Sequence, residues 1–161
     1  MNYPKYDFTS STENITFEFI SKGTNGNIGK AITYQCINEE IKIYNLCFGD
    51  NKGINKETGE LNIDDIAVSN NGDLEKILAT IASSAYIFSE TYPDRLIFFK
   101  GSTPARTRLY RRAICKEFDY ISKTFAIFGA ININGKIINV PFNASDDFYG
   151  FYIKAKCNEE N

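Results

Sequence analysis

The chain has 161 residues and a formal net charge of −2, which suits one buried core and argues against a surface that is basic overall and coats nucleic acid. It contains no histidine, which excludes the usual serine and cysteine triads and most zinc sites. The four cysteines show no CxxC spacing, and no apolar stretch resembles a signal peptide or a bilayer span. We therefore expect a single cytoplasmic domain over residues 1–161 with reduced thiols, no metal site and no membrane association.

The first half of the chain is predicted to form strands. Apolar and polar residues alternate over 15–20 and again over 30–37, and a third apolar run covers 41–48. Glycine-containing and polar turns separate these runs, so we predict an antiparallel meander. The polar stretch 51–60 is interpreted as a loop, and 61–69 as a fourth strand.

The middle of the chain is predicted to place a strand between two helices. Apolar residues recur at helical spacing over 74–88, with Asp73 or Asn71 as the predicted cap. A short apolar run at 96–99 is predicted to be a buried strand. The second helix is predicted over 103–118, because a proline occupies the favoured first helical position.

Three strands complete the predicted fold. They cover 125–133, a segment that follows an Asn134-Gly135 hairpin turn, and 148–156. The element order is β-β-β-β-α-β-α-β-β-β, which indicates an α+β fold with a mostly antiparallel mixed sheet and two principal helices. The helix–strand–helix section requires at least one parallel pair of strands.

The turn and helix start at Gly101–Arg112 form the candidate site. A helix N-terminus offers backbone N–H donors and a partial positive charge. At about 100° per residue, Arg106 falls among the apolar positions that include Ala105, whereas three other arginines share the opposite side. The candidate ligand-binding residues are Gly101, Ser102, Thr103, Arg106, Arg108, Tyr110, Arg111 and Arg112.

Three interpretations of this segment stay open. In the first, Arg106 helps to bind a phosphate-bearing ligand, either a nucleotide or a nucleic-acid backbone. In the second, it pairs with a structural carboxylate, Asp64, Asp65 or Asp73, while the other arginines form a solvated face. In the third, the arginine face binds an acidic protein, as an antitoxin, inhibitor or complex subunit does. No catalytic residue or cofactor is assigned, and the oligomeric state is left open.

The sequence resembles an uncharacterised family of small bacterial proteins. The resemblance rests on 44–50, on 68–80 and on 101–111, and it extends over most of the chain. It implies a domain of unknown function.

The element order from about Lys30 to Lys156 also resembles the GNAT-type N-acyltransferases. Their core is a β-meander, a pyrophosphate loop that opens a helix, a strand, a second helix and closing strands. Their loop follows a Gln/Arg-x-x-Gly-x-Gly/Ala pattern, of which 69–74 retains only Gly72. This resemblance implies a GNAT-like fold and, as an alternative function, an acyltransferase that uses acyl-CoA with Tyr110 as the acid.

Overall fold

The computed structural model describes residues 4–65 and 71–156. This part of the chain contains nine strands and three helices. Their bounds are β1 Thr9–Ser10, β2 Thr16–Gly23, β3 Gly26–Asn38, β4 Ile43–Ile54, β5 Leu61–Asp64, α1 Leu74–Thr91, β6 Leu96–Phe99, α2 Pro104–Lys116, α3 Phe118–Ile121, β7 Phe125–Ile133, β8 Lys136–Pro141 and β9 Gly150–Ala155.

The strands hydrogen bond in the order β1-β2-β3-β4-β6-β9-β7-β8, and β5 pairs with β4 outside this path. The pairs β1–β2, β2–β3, β4–β5, β6–β9, β7–β8 and β7–β9 are antiparallel. Strands β4 and β6 are parallel, with Ile43 opposite Leu96 and Asn45 opposite Phe98. The predicted α+β class, the mostly antiparallel mixed sheet and the parallel pair are therefore confirmed.

The elements differ from the prediction where the sequence has little periodicity. Strand β4 runs to Ile54, into the stretch interpreted as a loop, because its exposed end pairs with β5 through backbone groups that need no apolar side chains. Strand β1 and helix α3 are too short to produce a pattern. Helix α2 ends at Lys116, and the predicted strand segment 66–69 lies outside the described residues.

The described residues divide into two compact units. The first comprises 4–35, 46–65 and 71–91, and the second comprises 36–45 and 92–156.

Aromatic side chains fill the core of the first unit. Phe17 and Phe88 are fully buried. Tyr34 stacks on Phe88 with ring centroids 4.2 Å apart and meets Phe17 edge-on at 6.1 Å. Its hydroxyl group hydrogen bonds to Ser84 Oγ at 2.8 Å, so this buried polar atom has a partner. Burial raises the pKa of Tyr34 well above its ordinary value.

A buried polar network anchors the start of α1 in the same unit. The Asp73 carbonyl accepts the Ile77 N–H at 3.0 Å, so Asp73 does lie at the start of the helix. Its carboxylate, however, accepts the hydroxyl groups of Tyr6 and Ser21, each at 2.5 Å. The Asn71 amide donates to Ser21 Oγ at 3.0 Å. This network joins the N-terminal segment, β2 and α1.

The sheet of the second unit carries apolar clusters on both faces. Ile43, Phe98 and Tyr152 belong to one cluster. Helix α2 packs on the other cluster through Ile114, which is buried with Phe148 and Phe151. This packing fixes the position of the helix N-terminus.

We predict that Tyr34 makes stability depend on alkaline pH. Above about pH 10 the unfolded chain loses the phenolic proton, whereas the folded chain retains it because the pKa is raised there, so the free energy of unfolding falls. Tyr34→Phe should lower the free energy of unfolding at about pH 8 by about 1 kcal/mol, because the hydrogen bond to Ser84 is lost. The free energy of unfolding of Tyr34→Phe should also fall less above about pH 10 than that of the wild-type protein.

Urea unfolding at about pH 8 and about pH 11 measures both effects. Tyr120→Phe is the matched control, because Tyr120 is exposed and its substitution should change the free energy of unfolding at about pH 8 by less than about 0.5 kcal/mol. A pH dependence of Tyr34→Phe equal to that of the wild-type protein would contradict the prediction.

Candidate functional site

The turn before α2 is packed directly against the first turn of the helix. A Cβ atom on Gly101 would lie 2.5 Å from Arg106 Cβ and 2.5 Å from the Thr107 nitrogen, so only glycine fits there. The Gly101 N–H donates to Thr107 Oγ1 at 3.0 Å, and that hydroxyl group donates to the Thr103 carbonyl at 3.2 Å. Gly101 and Thr107 are both buried, so these contacts hold the turn in place.

Thr103, predicted as the first residue of α2, is its N-cap. It has extended backbone geometry (φ −135°, ψ 159°), and its Oγ1 accepts the Arg106 N–H at 3.2 Å. Pro104 occupies the first helical position and has no N–H. In the described part of the chain this leaves the amide of Ala105 as the remaining first-turn donor.

The Arg106 side chain turns back toward the residues that precede the helix. Its Nη1 donates to Ser102 Oγ at 2.6 Å, and the residue is half-buried. Asp73, one of the carboxylates predicted to pair with Arg106, binds Tyr6 and Ser21. The structure therefore brings Ser102 and Arg106 together at the positive end of α2.

The helical-wheel assignment is wrong at one position in the first turn. Ala105 was predicted to be apolar and inward-facing but is exposed, whereas Thr107 is buried. Thr107 can be buried because its hydroxyl group hydrogen bonds to Gly101 and Thr103. A helical wheel considers only polarity and spacing, so it cannot predict these hydrogen bonds.

The three arginines predicted to share a side of α2 have different surroundings. Arg111 is held against the loop 143–147, where its Nη1 donates to the Asp146 carbonyl at 2.9 Å and lies 3.3 Å from Asp147 Oδ1. Its side chain is only 17% exposed. Arg108 and Arg112 are exposed to solvent. Arg111 therefore has a structural role that the sequence did not reveal.

The acidic loop 143–147 is organised by one asparagine. Asn143 Oδ1 accepts the N–H groups of Ser145 at 3.0 Å and Asp146 at 2.8 Å, and Asn143 Nδ2 donates to Asp146 Oδ2 at 2.7 Å. The loop borders an open depression of about 470 Å³. The lining residues are Ile131, Val140, Pro141, Asn143, Asp146, Asp147 and Phe148. The sequence does signal a turn here, because Asn143, Ser145 and Asp146 are residue types that favour turns, but the loop was not among the predicted site elements.

Tyr110 and Lys100 flank the turn and the helix. Tyr110 is half-buried and meets the ring of Phe99 edge-on at 6.2 Å, so it contributes to the core. Lys100 was not predicted as a site residue. Its Nζ donates to Tyr149 Oη at 3.0 Å and lies 4.5 Å from the centre of that ring, which places a second cation immediately before Gly101.

Residues 4–65 and 71–156 contain no group of three or more Cys, Asp or Glu side chains that could hold a metal ion. Within the same residues no helix is long and apolar enough to cross a membrane.

The chain belongs to DUF6934, a family of unknown function, whose model matches residues 2–156. This confirms the resemblance to an uncharacterised family. No curated protein and no solved structure matches the chain.

We predict that Gly101→Ala lowers the free energy of unfolding by about 1–3 kcal/mol, because the added methyl group would overlap backbone atoms of α2. Gly29→Ala is the matched control. The nearest atom to its new Cβ is 3.7 Å away, so the change should be tolerated. Urea unfolding of both variants tests the prediction. If Gly101→Ala had the same free energy of unfolding as Gly29→Ala and the wild-type protein, the turn would have to move freely to admit the methyl group.

Arg111→Ala should loosen the loop 143–147. Loss of the hydrogen bond to the Asp146 carbonyl should lower the free energy of local opening of the loop by about 1 kcal/mol. Amide hydrogen exchange at Ser145 and Asp146 should therefore become about threefold to tenfold faster. Arg112→Ala, which removes an exposed arginine from the same helix, serves as the control and should leave these rates unchanged. Unchanged exchange in Arg111→Ala would show that Asn143 alone orders the loop.

Proposed function

We propose that this chain binds a phosphate-bearing ligand, a nucleotide or a nucleic-acid backbone, at residues 101–106. The observation that carries the proposal is the position of the Arg106 guanidinium. It is fixed against the Ser102 hydroxyl group at 2.6 Å, beside the N-terminus of α2.

The chemistry of this arrangement favours an anion. A guanidinium group offers several N–H donors in one plane, and here the Nη1 donor is fixed by its bond to Ser102 Oγ. The partial positive charge of the helix N-terminus adds to the charge of Arg106, and the Ala105 amide provides a backbone donor at the same end. Lys100 supplies a further cation just before the turn.

Within the proposed site we distinguish ligand-binding groups from groups that shape the turn. Gly101, Thr103 and Thr107 use their hydrogen-bonding groups on one another and on Arg106, so they shape the turn. In the proposed site, Ser102 and Arg106 contact the ligand directly. The remaining candidates have other roles. Tyr110 packs in the core, Arg111 binds the loop 143–147, and the exposed Arg108 and Arg112 contribute long-range attraction.

The alternative function, a GNAT-like acyltransferase, is supported by the parallel pairing of β4 with β6 on either side of α1. In that case acyl-CoA would bind at the turn that contains Gly72. Asn71 already uses its side chain there, accepting the Asn25 N–H at 2.6 Å and donating to the Gly26 carbonyl at 2.9 Å. For this reason we favour the site at Arg106.

The proposal is tested by thermal shift and calorimetry with acetyl-CoA, nucleoside mono- and triphosphates, short RNA, short DNA and sulfate. A ligand at about 100 times its dissociation constant adds about 2.7 kcal/mol of stability, which raises Tm by several degrees. Arg106→Ala should raise the dissociation constant of the ligand that binds by about tenfold to a hundredfold, because a charge-assisted contact is lost. Arg112→Ala, the matched control, should weaken it by no more than about threefold.

Three outcomes contradict the proposal. Equal losses in Arg106→Ala and Arg112→Ala would indicate diffuse attraction to a basic helix. Stabilisation by acetyl-CoA that survives Arg106→Ala but is lost in Gly72→Val would favour the acyltransferase. No stabilisation by any ligand would favour an acidic protein that binds the exposed face with Arg108 and Arg112.

A further inference from the structure

Strand β8 is the last strand in the sheet order, and its outer edge faces away from β7. The hairpin between them turns through Asn134 (φ 52°) and Gly135 (φ 83°), the positive values that a tight two-residue turn needs. Such a turn closes on a hydrogen-bonded pair, here Ile133 and Lys136.

From this pair onward, residues of β8 whose backbone groups bond to β7 alternate with residues whose backbone groups point away from it. Lys136, Ile138 and Val140 direct their backbone groups toward β7. The backbone groups of Ile137 and Asn139 then point outward. Pro141 points outward as well, but it has no N–H to donate.

We propose that two copies of this chain associate by antiparallel pairing of their β8 edges, with the two-fold axis at Ile138. In this register Ile137 pairs with Asn139 of the second copy, and the symmetry gives the same pair again. All four outward N–H groups then meet outward carbonyls. An axis at Asn139 would instead place Pro141 opposite Ile137, so that each Ile137 carbonyl would face a proline ring that has no N–H to donate. The proline therefore disfavours that register.

The side chains agree with this register. Ile138 lies opposite Ile131 of β7, so 136, 138 and 140 share the sheet face that carries Ile131. Ile138 of one copy lies opposite Ile138 of the other copy. The exposed Lys136 lies opposite Val140 of the second copy.

Charge complementarity identifies the partner as a second copy. Val140 lines the depression that also contains Asp146 and Asp147, and the Asp147 side chain is 69% exposed. In the proposed register the Lys136 ammonium therefore reaches the acidic loop of the other chain, and the contact occurs twice. One edge supplies both the cation and the carboxylates, which is the arrangement that a two-fold interface requires.

The contact involves one short strand from each chain, so we expect weak, concentration-dependent dimers. It uses no residue of the turn 101–106 and is independent of the proposed ligand site. Sedimentation equilibrium of the full chain should show a mass that rises with concentration from 18.2 kDa toward twice that value.

Two variants of one residue test the backbone pairing. Asn139→Pro removes an outward N–H and leaves the bonds between β8 and β7 intact, so it should raise the dimer dissociation constant at least about tenfold. Asn139→Thr retains the N–H and should dimerise like the wild-type protein. Circular dichroism establishes that both variants are folded.

A charge reversal tests the contact between the two chains without changing the backbone. Lys136→Glu should weaken the dimer more than Lys136→Gln does, because it places a carboxylate near the acidic loop of the second copy, and the difference should shrink as the salt concentration rises. Wild-type protein that stays at 18.2 kDa at every concentration would overturn the proposal. Dimers that Asn139→Pro and Lys136→Glu leave unchanged would overturn it equally.

Discussion

The close packing of Gly101 against the first turn of α2 is the contact on which the candidate site depends. With no side chain at Gly101, the turn approaches the backbone of Thr107 and hydrogen bonds to its hydroxyl group at 3.0 Å. This approach places Ser102 within 2.6 Å of the Arg106 guanidinium. A larger residue at 101 would separate the two groups that the proposed ligand contacts.

The arginines of α2 owe their different roles to their neighbours. Arg111 is enclosed by a loop whose carbonyl and carboxylate groups compensate its charge, so it stabilises the fold. Arg106 donates to the Ser102 hydroxyl group beside the N-terminal end of the helix, where we propose that it binds an anion. Arg108 and Arg112 face solvent, and their proposed contribution is long-range attraction of the ligand. Sequence position alone does not distinguish these cases, because each residue is an arginine on one short helix.

Much of the fold could be predicted because local signals agreed with it. The alternation in β2 and β3, the helical spacing in α1 and the threonine and proline at the start of α2 all correspond to the observed elements. The end of β4 was missed because backbone pairing with β5, rather than side-chain pattern, forms it. The buried Thr107 and the enclosed Arg111 were missed because their partners depend on tertiary contacts from the turn at Gly101 and from the loop 143–147. The sequence thus indicated a candidate site but could not show which of its residues are held by contacts within the fold.

An NMR titration provides the sharpest test of the proposed anion binding at Arg106. Inorganic phosphate or a nucleotide is added to isotope-labelled protein while the backbone amides and the arginine Nε–H groups are followed. If an anion binds there, we expect saturable chemical-shift changes that are largest at the Ala105 amide and the Arg106 Nε–H, and small at Arg112. Shifts that are largest at Arg108 and Arg112, or that increase without saturation at every basic residue, would contradict it.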